Sequence, residues 1–569
     1  MQLTNQIHFR NIRGDIFGGL TAAVIALPMA LTFGVASGAG AEAGLWGAVL
    51  IGFFAAVFGG TPTLISEPTG PMTVVMTAVI ANLTAANPEN GMGMAMAFTV
   101  VMLAGIFQIL FGFLRLGKYI TLMPYTVISG FMSGIGIILI ILQTAPFLGQ
   151  GSPKGGVIGT VTNLPTLIAN INPIETILAV LTVAILVLMP RKWKRILPPQ
   201  LVALILGTVL SLVFFSGVDI RRIGEIAVGL PSLRLPVFTT QQLQLMVVDA
   251  LVLATLGCID ALLTSLVADS LTRTEHDSNK ELMGQGLGNL VSGLFGGIPG
   301  AGATMGTVVN IQAGGRSALS GIARALALLV VVLWAAPLTK SIPLAVLAGI
   351  ALKVGIDIID WGFLKRAHKI SWKASLIMYG VILLTVFVDL IVAVGVGVFV
   401  ANILTIERLS AHRADSVKAI TYDDEEIQLS QEEKVLLDQG DGRIVLFHLS
   451  GPMIFGVAKA ISRQHNAIEG FDVLILDFSD VPILGVTATL ALENAIQEAL
   501  DKGREVFIVG ATGKTRKRLQ SLDIWQQIPP ENIELTRLEA LRLSRTMVSN
   551  YQNYAPSQAK ANFDLSADI

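Results

Sequence analysis

The stretch FGGIPGAGATMGTVV, Phe295 to Val309, echoes one that the chain has already used: Phe58 to Pro62 reads FGGTP, 237 residues upstream. Both motifs lead through a Gly/Pro/Thr-rich passage to a threonine-valine-valine, at Thr73 to Val75 and at Thr307 to Val309. Around these copies, uncharged segments recur from Ile16 to Ile406. A helix needs about 20 apolar residues to cross a bilayer, and on that measure we expect about 14 spans. Seven then fall in each of two repeats, about 15–218 and 246–406. An odd number turns the second copy upside down, and inverted repeats of this kind bring paired broken helices together at the membrane midplane.

The segments beginning near Gly70 and Ala303 are too short or too glycine-rich to cross alone, which marks them as the broken helices. A helix N-terminus exposes backbone N–H groups and carries roughly half a positive charge, so two opposed ends supply about one unit. That suits one monovalent anion. The ends are expected at Thr69 to Thr73 and at Ala303 to Thr307. The candidate anion-binding residues are therefore Thr69, Gly70, Met72 and Thr73, with Ala303, Thr304, Met305 and Gly306. Gly/Pro motifs also let helices pack tightly; it is their repeat-related placement that favours a site.

Composition sets the wider frame. Of 569 residues, 53% are hydrophobic and 14% charged, with a mean hydropathy of +0.69, so most of the chain requires lipid as its solvent. Up to Ile406 there are 16 acidic and 22 basic residues, whereas the last 163 residues carry 24 and 17. The net charge thus passes from +6 to −7 near Glu407. We divide the chain into a transmembrane domain (1–406), a linker (407–440), a compact α/β domain (441–551) and a tail expected to be disordered (552–569). One cysteine, Cys258, excludes an internal disulfide, and the six histidines show no HExxH spacing. No catalytic constellation appears, so neither an enzyme nor a nucleic-acid partner is expected. The N-terminus reads as a retained first span rather than a signal peptide.

With fourteen crossings, the basic loops at Arg10 and Arg13, Arg115 and Lys118, Arg191 to Arg195, Arg273 and Lys280, and Lys365 to Lys373 fall on one side. The positive-inside rule makes that side the cytoplasm and places both termini there, in a multi-pass protein of the plasma (inner) membrane. Arg221, Arg222 and Arg234 are the exception, partly balanced by Asp219 and Glu225.

Asp260 lies in LGCIDALLTSLVAD with no other charge between Ala250 and Ala268. A mid-membrane charge costs at least about 2.5 to 3.5 kcal/mol, so it needs a partner. Thr264 is one helical turn on, facing the same side. Carbonyls of Gly300 and Gly302, with Thr304, complete an all-oxygen shell of the kind that holds sodium; a proton relay and a neutral hydrogen-bonded carboxyl are the alternatives. Glu67 is read as a hinge residue, Lys353 and Asp357 as a snorkelling pair near a helix end, and Asp389 as part of an outer turn. GQGLG at Gly284 to Gly288 is assigned to helix packing. GATGKT at Gly510 to Thr515 lacks a P-loop glycine at Ile508 and is read as a strand-to-helix turn. In the tail, strands are expected at Arg443 to Leu449, Val473 to Phe478 and Glu505 to Val509, with helices at Thr487 to Lys502 and Arg537 to Tyr551.

With these residues assembled, the chain resembles the sulfate permease (SulP) family of anion transporters over nearly its whole length. The resemblance rests on SEPTGP at Ser66 to Pro71, GIPGAGATMGTVVN at Gly297 to Asn310 and NIQAGGRSALSGI at Asn310 to Ile322. Within the family it is most similar to the sodium-dependent bicarbonate carriers. The resemblance implies an α-helical polytopic fold in a 7+7 inverted repeat, with a core domain moving against a gate domain. It also implies a cytoplasmic STAS domain and homodimerisation, which we expect to run through that domain. Many members carry an arginine where this chain has Gly306. Without that cation, an ionised Asp260 cancels the two helix ends, and sodium at Asp260 restores about one positive charge. Bicarbonate import with sodium as coupling ion follows as the expected function. A proton-coupled sulfate or dicarboxylate carrier, or an anion sensor that does not transport, are the alternatives. DFSDVPILGVTA, Asp477 to Ala488, resembles the STAS phosphorylation pattern, but with Gly485 for its aspartate and Val486 and Thr487 for its serine pair, which leaves Thr487 as the possible regulatory acceptor.

Overall fold

The computed structural model describes residues 4–5, 7–87, 92–120, 124–190, 193, 198–215, 217–225, 229–388, 390–414, 417–422, 427–454, 457–466, 468, 470–521 and 523–564. Arg191, Lys192, Lys194, Arg195, Asp389, the acidic run 423–426 and residues 565–569 lie outside these. The chain forms two compact units, Met1–Phe399 and Val400–Ile569.

Among the described residues, fourteen helices of nine or more residues begin in the first unit. Seven come early: α1 (Ile12–Ala36), α2 (Ala41–Phe58), α3 (Gly70–Ala86), α4 (Met92–Phe113), α5 (Tyr125–Phe147), α6 (Pro173–Leu188) and α7 (Pro199–Phe214). Seven follow: α8 (Leu243–Thr272), α9 (Ser278–Leu294), α10 (Thr304–Gln312), α11 (Ala318–Val330), α12 (Leu344–Ile358), α13 (Trp372–Phe387) and α14 (Leu390–Ala414). Five of them, α1 (with the turn before it), α2, α4, α5 and α8, have the length and apolar composition to cross a membrane unaided. The third helix of each set is short, 17 residues in α3 and 9 in α10. Helix α14 runs on past Ile406, so the change in charge density near Glu407 is not a break in secondary structure.

Local sequence explains several boundaries. Proline occupies the first turn of α3, α6 and α7, where its missing N–H costs nothing. Asn172, Asp277 and Ser371 cap α6, α9 and α13 with side-chain oxygens. The GQGLG run does serve packing: a Cβ on Gly286 would stand 2.6 Å from the Gly105 carbonyl where α9 crosses α4. The three arginines that broke the charge rule are all engaged. Arg221 pairs with Glu175 at 2.8 Å, Arg222 donates to Ser211 Oγ at 3.0 Å, and Arg234 lies over the Phe98 ring.

Two short segments ahead of the broken helices form a two-stranded sheet. β1 (Ser66–Glu67) and β2 (Ala301–Gly302) pair antiparallel, Ser66 opposite Gly302 and Glu67 opposite Ala301. Each leads within three residues into a broken helix, β1 into α3 and β2 into α10.

The second unit carries a five-stranded sheet in the order β3 (Val417–Ile420), β4 (Ile444–Ser450), β5 (Val473–Asp480), β6 (Glu505–Val509), β7 (Ile533–Leu535). Only β3 is antiparallel to its neighbour. Period-two alternation builds a core on each face. Val445, Phe447 and Leu449 pack toward α16 (Val457–Asn466), α17 (Val486–Asp501) and α18 (Gly513–Gln520). Ile444 and Leu446 pack toward α15 (Gln431–Asp438) and α19 (Arg537–Asp564). The strands and helices expected here are present, and Gly510 to Thr512 do turn from β6 into α18. Two expectations are corrected. The stretch 407–440 is not a simple linker, because Val417 and Ile420 are buried in edge strand β3 and a capping box at Ser430 and Glu433 starts α15. The helix expected to end at Tyr551 continues to Asp564 instead of giving way to a disordered tail.

Candidate anion and cation site

The β1–β2 ladder sets the position of both helix ends. Ala303 N–H donates to the Ile65 carbonyl at 2.8 Å, and Ile65 N–H donates to Thr307 Oγ1 at 3.0 Å. Beyond the ladder, α10 begins at Thr304 and α3 at Gly70, and no side chain caps either end. First-turn N–H groups have no acceptor within their own helix. That leaves those of Thr304, Met305 and Gly306 on α10, and those of Gly70 and Met72 on α3, since Pro71 has none. Thr69, placed to cap α3, turns its hydroxyl elsewhere: Oγ1 donates to Asp260 Oδ2 at 2.8 Å.

Asp260 sits midway along α8 and is 9% exposed. One turn on, Thr264 Oγ1 donates to the Gly302 carbonyl at 2.9 Å and stands 3.0 Å from Thr304 Oγ1. One carboxylate with hydroxyl and carbonyl oxygens suits a hard monovalent cation; among the described residues no cluster of three or more His, Cys, Asp or Glu side chains could hold a metal ion. Gly300, expected to contribute a carbonyl, is turned away. Its N–H and carbonyl both bond to the Asn289 side-chain amide, each at 2.9 Å.

A cavity of about 340 Å³ joins these elements. Thr69, Gly70, Asp260, Gly302, Ala303, Thr304 and Met305 line it. Met72, Thr73 and Gly306 do not: Met72 and Thr73 are fully buried, and Gly306 packs its backbone against Ile65. Met72 and Gly306 offer first-turn N–H groups of α3 and α10 and no side chain to the cavity. Thr73 contributes neither, because its hydroxyl and N–H both donate to the Thr69 carbonyl.

Glu67, read from sequence as a hinge residue, and Lys353 and Asp357, read as a snorkelling pair, also line the cavity. One residue was missed altogether. Arg324, on α11, is 0% exposed and donates to the Ala48 and Ser66 carbonyls at 2.8 and 2.9 Å and to Glu67 Oε2. Gly52 makes room for it: a Cβ there would meet Arg324 Nη1 at 2.4 Å. A lone arginine within the apolar run of Ala318 to Val330, with a lone glutamate in SEPTG, was the signal available. In the second unit, Thr487 is exposed in the first turn of α17, beside exposed Val486.

The Sulfate permease family model matches residues 12–381 and the STAS domain model residues 437–540. The bicarbonate transporter BicA of Picosynechococcus sp. is 70% identical over 546 residues, covering 95% of this chain and 96% of that one. BicA of Synechocystis sp. is 70% identical over 542 residues, again 95% and 96%. Among solved structures, the transmembrane domain of a cyanobacterium bicarbonate transporter BicA matches with a TM-score of 0.65 and 72% identity, covering 69% of this chain and all of that one. The murine solute carrier 26 anion transporter A9 shares the fold at a TM-score of 0.80 with 18% identity, over 95% of this chain and 92% of that one. This chain belongs to the sulfate permease family, with a STAS domain at its C-terminal end.

Proposed function

We propose that the chain imports bicarbonate together with sodium by alternating access, the anion at the ends of α3 and α10 and the cation at Asp260. What carries the reading is the bond from Thr69 to Asp260, which joins the capping position of one anion-binding end to the carboxylate of the cation site. Two helix ends contribute about one positive charge and Asp260 removes it, so an anion gains net attraction only once a cation has entered. Arg324 does not alter that sum, because Glu67 neutralises it in place. The relatives named bicarbonate transporters, 70% identical, supply the identity of the anion.

Energetics support the pairing. Moving one bicarbonate inward against 100 mV, inside negative, costs about 2.3 kcal/mol, and a sodium ion moving with it cancels that term. Basic loops orient both termini to the cytoplasm, and family membership supports pairing of two copies through the tail. The test is uptake of labelled bicarbonate into proteoliposomes with and without an inward sodium gradient. Wild type should require sodium, and Asp260→Ala should abolish uptake at saturating bicarbonate. Uptake that ignores sodium and follows pH would instead make Asp260 a proton site.

A further inference from the structure

A second cavity, of about 660 Å³, adjoins the first and is bounded by the start of α1, the start of α7 and the end of α10, with Phe17, Pro199 and Gln312 among its walls. Five residues line both: Leu186, Gln200, Met305, Lys353 and Asp357. These shared residues mark the neck between the two cavities. Met305, 49% exposed, reaches in from α10, and the Gln200 amide stands 3.7 Å from its sulfur. Opposite, α12 presents Lys353 ion-paired with Asp357 one turn on.

That pair is oddly placed for a mere surface ion pair. Lys353 is the only cationic side chain among the described residues lining the inner cavity, and its side chain is 22% exposed. Arg324, which donates to the ladder carbonyl of Ser66, is fully buried and paired with Glu67. We propose that Lys353 is a second anion-binding station, at the neck, and that Asp357 sets its strength by holding the ammonium until an anion displaces it. The ligand class is a small monovalent anion. A cationic group at a constriction raises the local anion concentration and the entry rate, while a paired carboxylate keeps the anion from lodging there. The inference rests on the reading that a monovalent anion travels through this cavity.

The two halves of the pair should act in opposite directions, which a purely structural ion pair would not do. Full-length protein in liposomes is assayed for bicarbonate transport with the neck facing the labelled side, as wild type, Lys353→Gln, Lys353→Arg and Asp357→Asn. Loss of a charge in partly solvated surroundings should raise KM in Lys353→Gln about five- to tenfold. Its maximal rate should hold, and KM should lose its dependence on ionic strength. Lys353→Arg should restore both. Asp357→Asn should lower KM and slow turnover, because the anion then lingers. The proposal is overturned if Lys353→Gln leaves KM and its salt dependence unchanged, or if Lys353→Gln and Asp357→Asn shift KM the same way. Wild-type uptake reports on the transport reading and the ratio of variant to wild type on the neck, so the two fail separately.

Discussion

Glu67 and Asp260 line the same cavity, and both are less than a tenth exposed, yet their surroundings are opposite. Glu67 is locked: Arg324 meets it from within the protein and donates to two carbonyls besides. Asp260 has a hydroxyl from Thr69 and, among the described residues, no cationic side chain bonded to it. A carboxylate with a built-in counter-ion is part of the scaffold, whereas one supplied only with neutral oxygens is the one our proposal gives to a cation that comes and goes. On the proposed reading, the first is a structural charge and the second a transport charge.

The comparison breaks first at Arg324. Replacing it with alanine strands a buried carboxylate, which costs about 3–5 kcal/mol. Folded, monodisperse protein in detergent should be largely lost, and recovered in Arg324→Met combined with Glu67→Gln. A stable Arg324→Ala variant would mean that Glu67 has no need of its partner. The second unit offers an independent paired carboxylate. Burial alone would raise the Asp477 carboxyl, but His448, Ser479 and Arg537 bond to it and together hold it down to about 2. Because its folded value lies below the unfolded one, its contribution of about 2 kcal/mol is present at neutral pH and is lost as pH falls toward 2. Urea unfolding of a fragment spanning 400–569 should show Asp477→Asn weaker than wild type at pH 7 and the gap closing in acid. The smallest effect sharpens the open site. Thr264→Val removes a neutral oxygen, worth about 1 kcal/mol or roughly fivefold. It should raise the sodium concentration needed for half-maximal uptake while KM for the anion at saturating sodium stays put.

Much of this was legible in the residues themselves. FGGTP and FGGIP located both broken helices, because glycine and proline interrupt a span in a way that composition alone exposes. The lone Asp260 stood out for the same reason, a single charge in an apolar run. What escaped reading depends on contacts far apart in sequence. Glu67 and Arg324 are 257 residues apart, and nothing local to either reveals the other, so Glu67 passed for a hinge residue. Lys353 and Asp357 look like any i to i+4 pair until α12 is known to face a cavity. Gly300 could be given to the cation only while Asn289, eleven residues earlier, was not known to claim both of its backbone groups. Strand β3 and its four residues were too short to show alternation, and its strandedness comes from pairing with β4.

The ladder of Ser66 and Glu67 with Gly302 and Ala301 has a consequence for how such a chain can be divided. Each half of the membrane unit contributes one strand of it and one helix end, so on the proposed reading neither half contains a site of its own. A gene cut between Phe214 and Leu243 would yield two fragments that are each inert, and activity would return only when they met with opposite insertions in the same bilayer. The oldest version of this architecture, if it was a half-length chain, had to work as a pair.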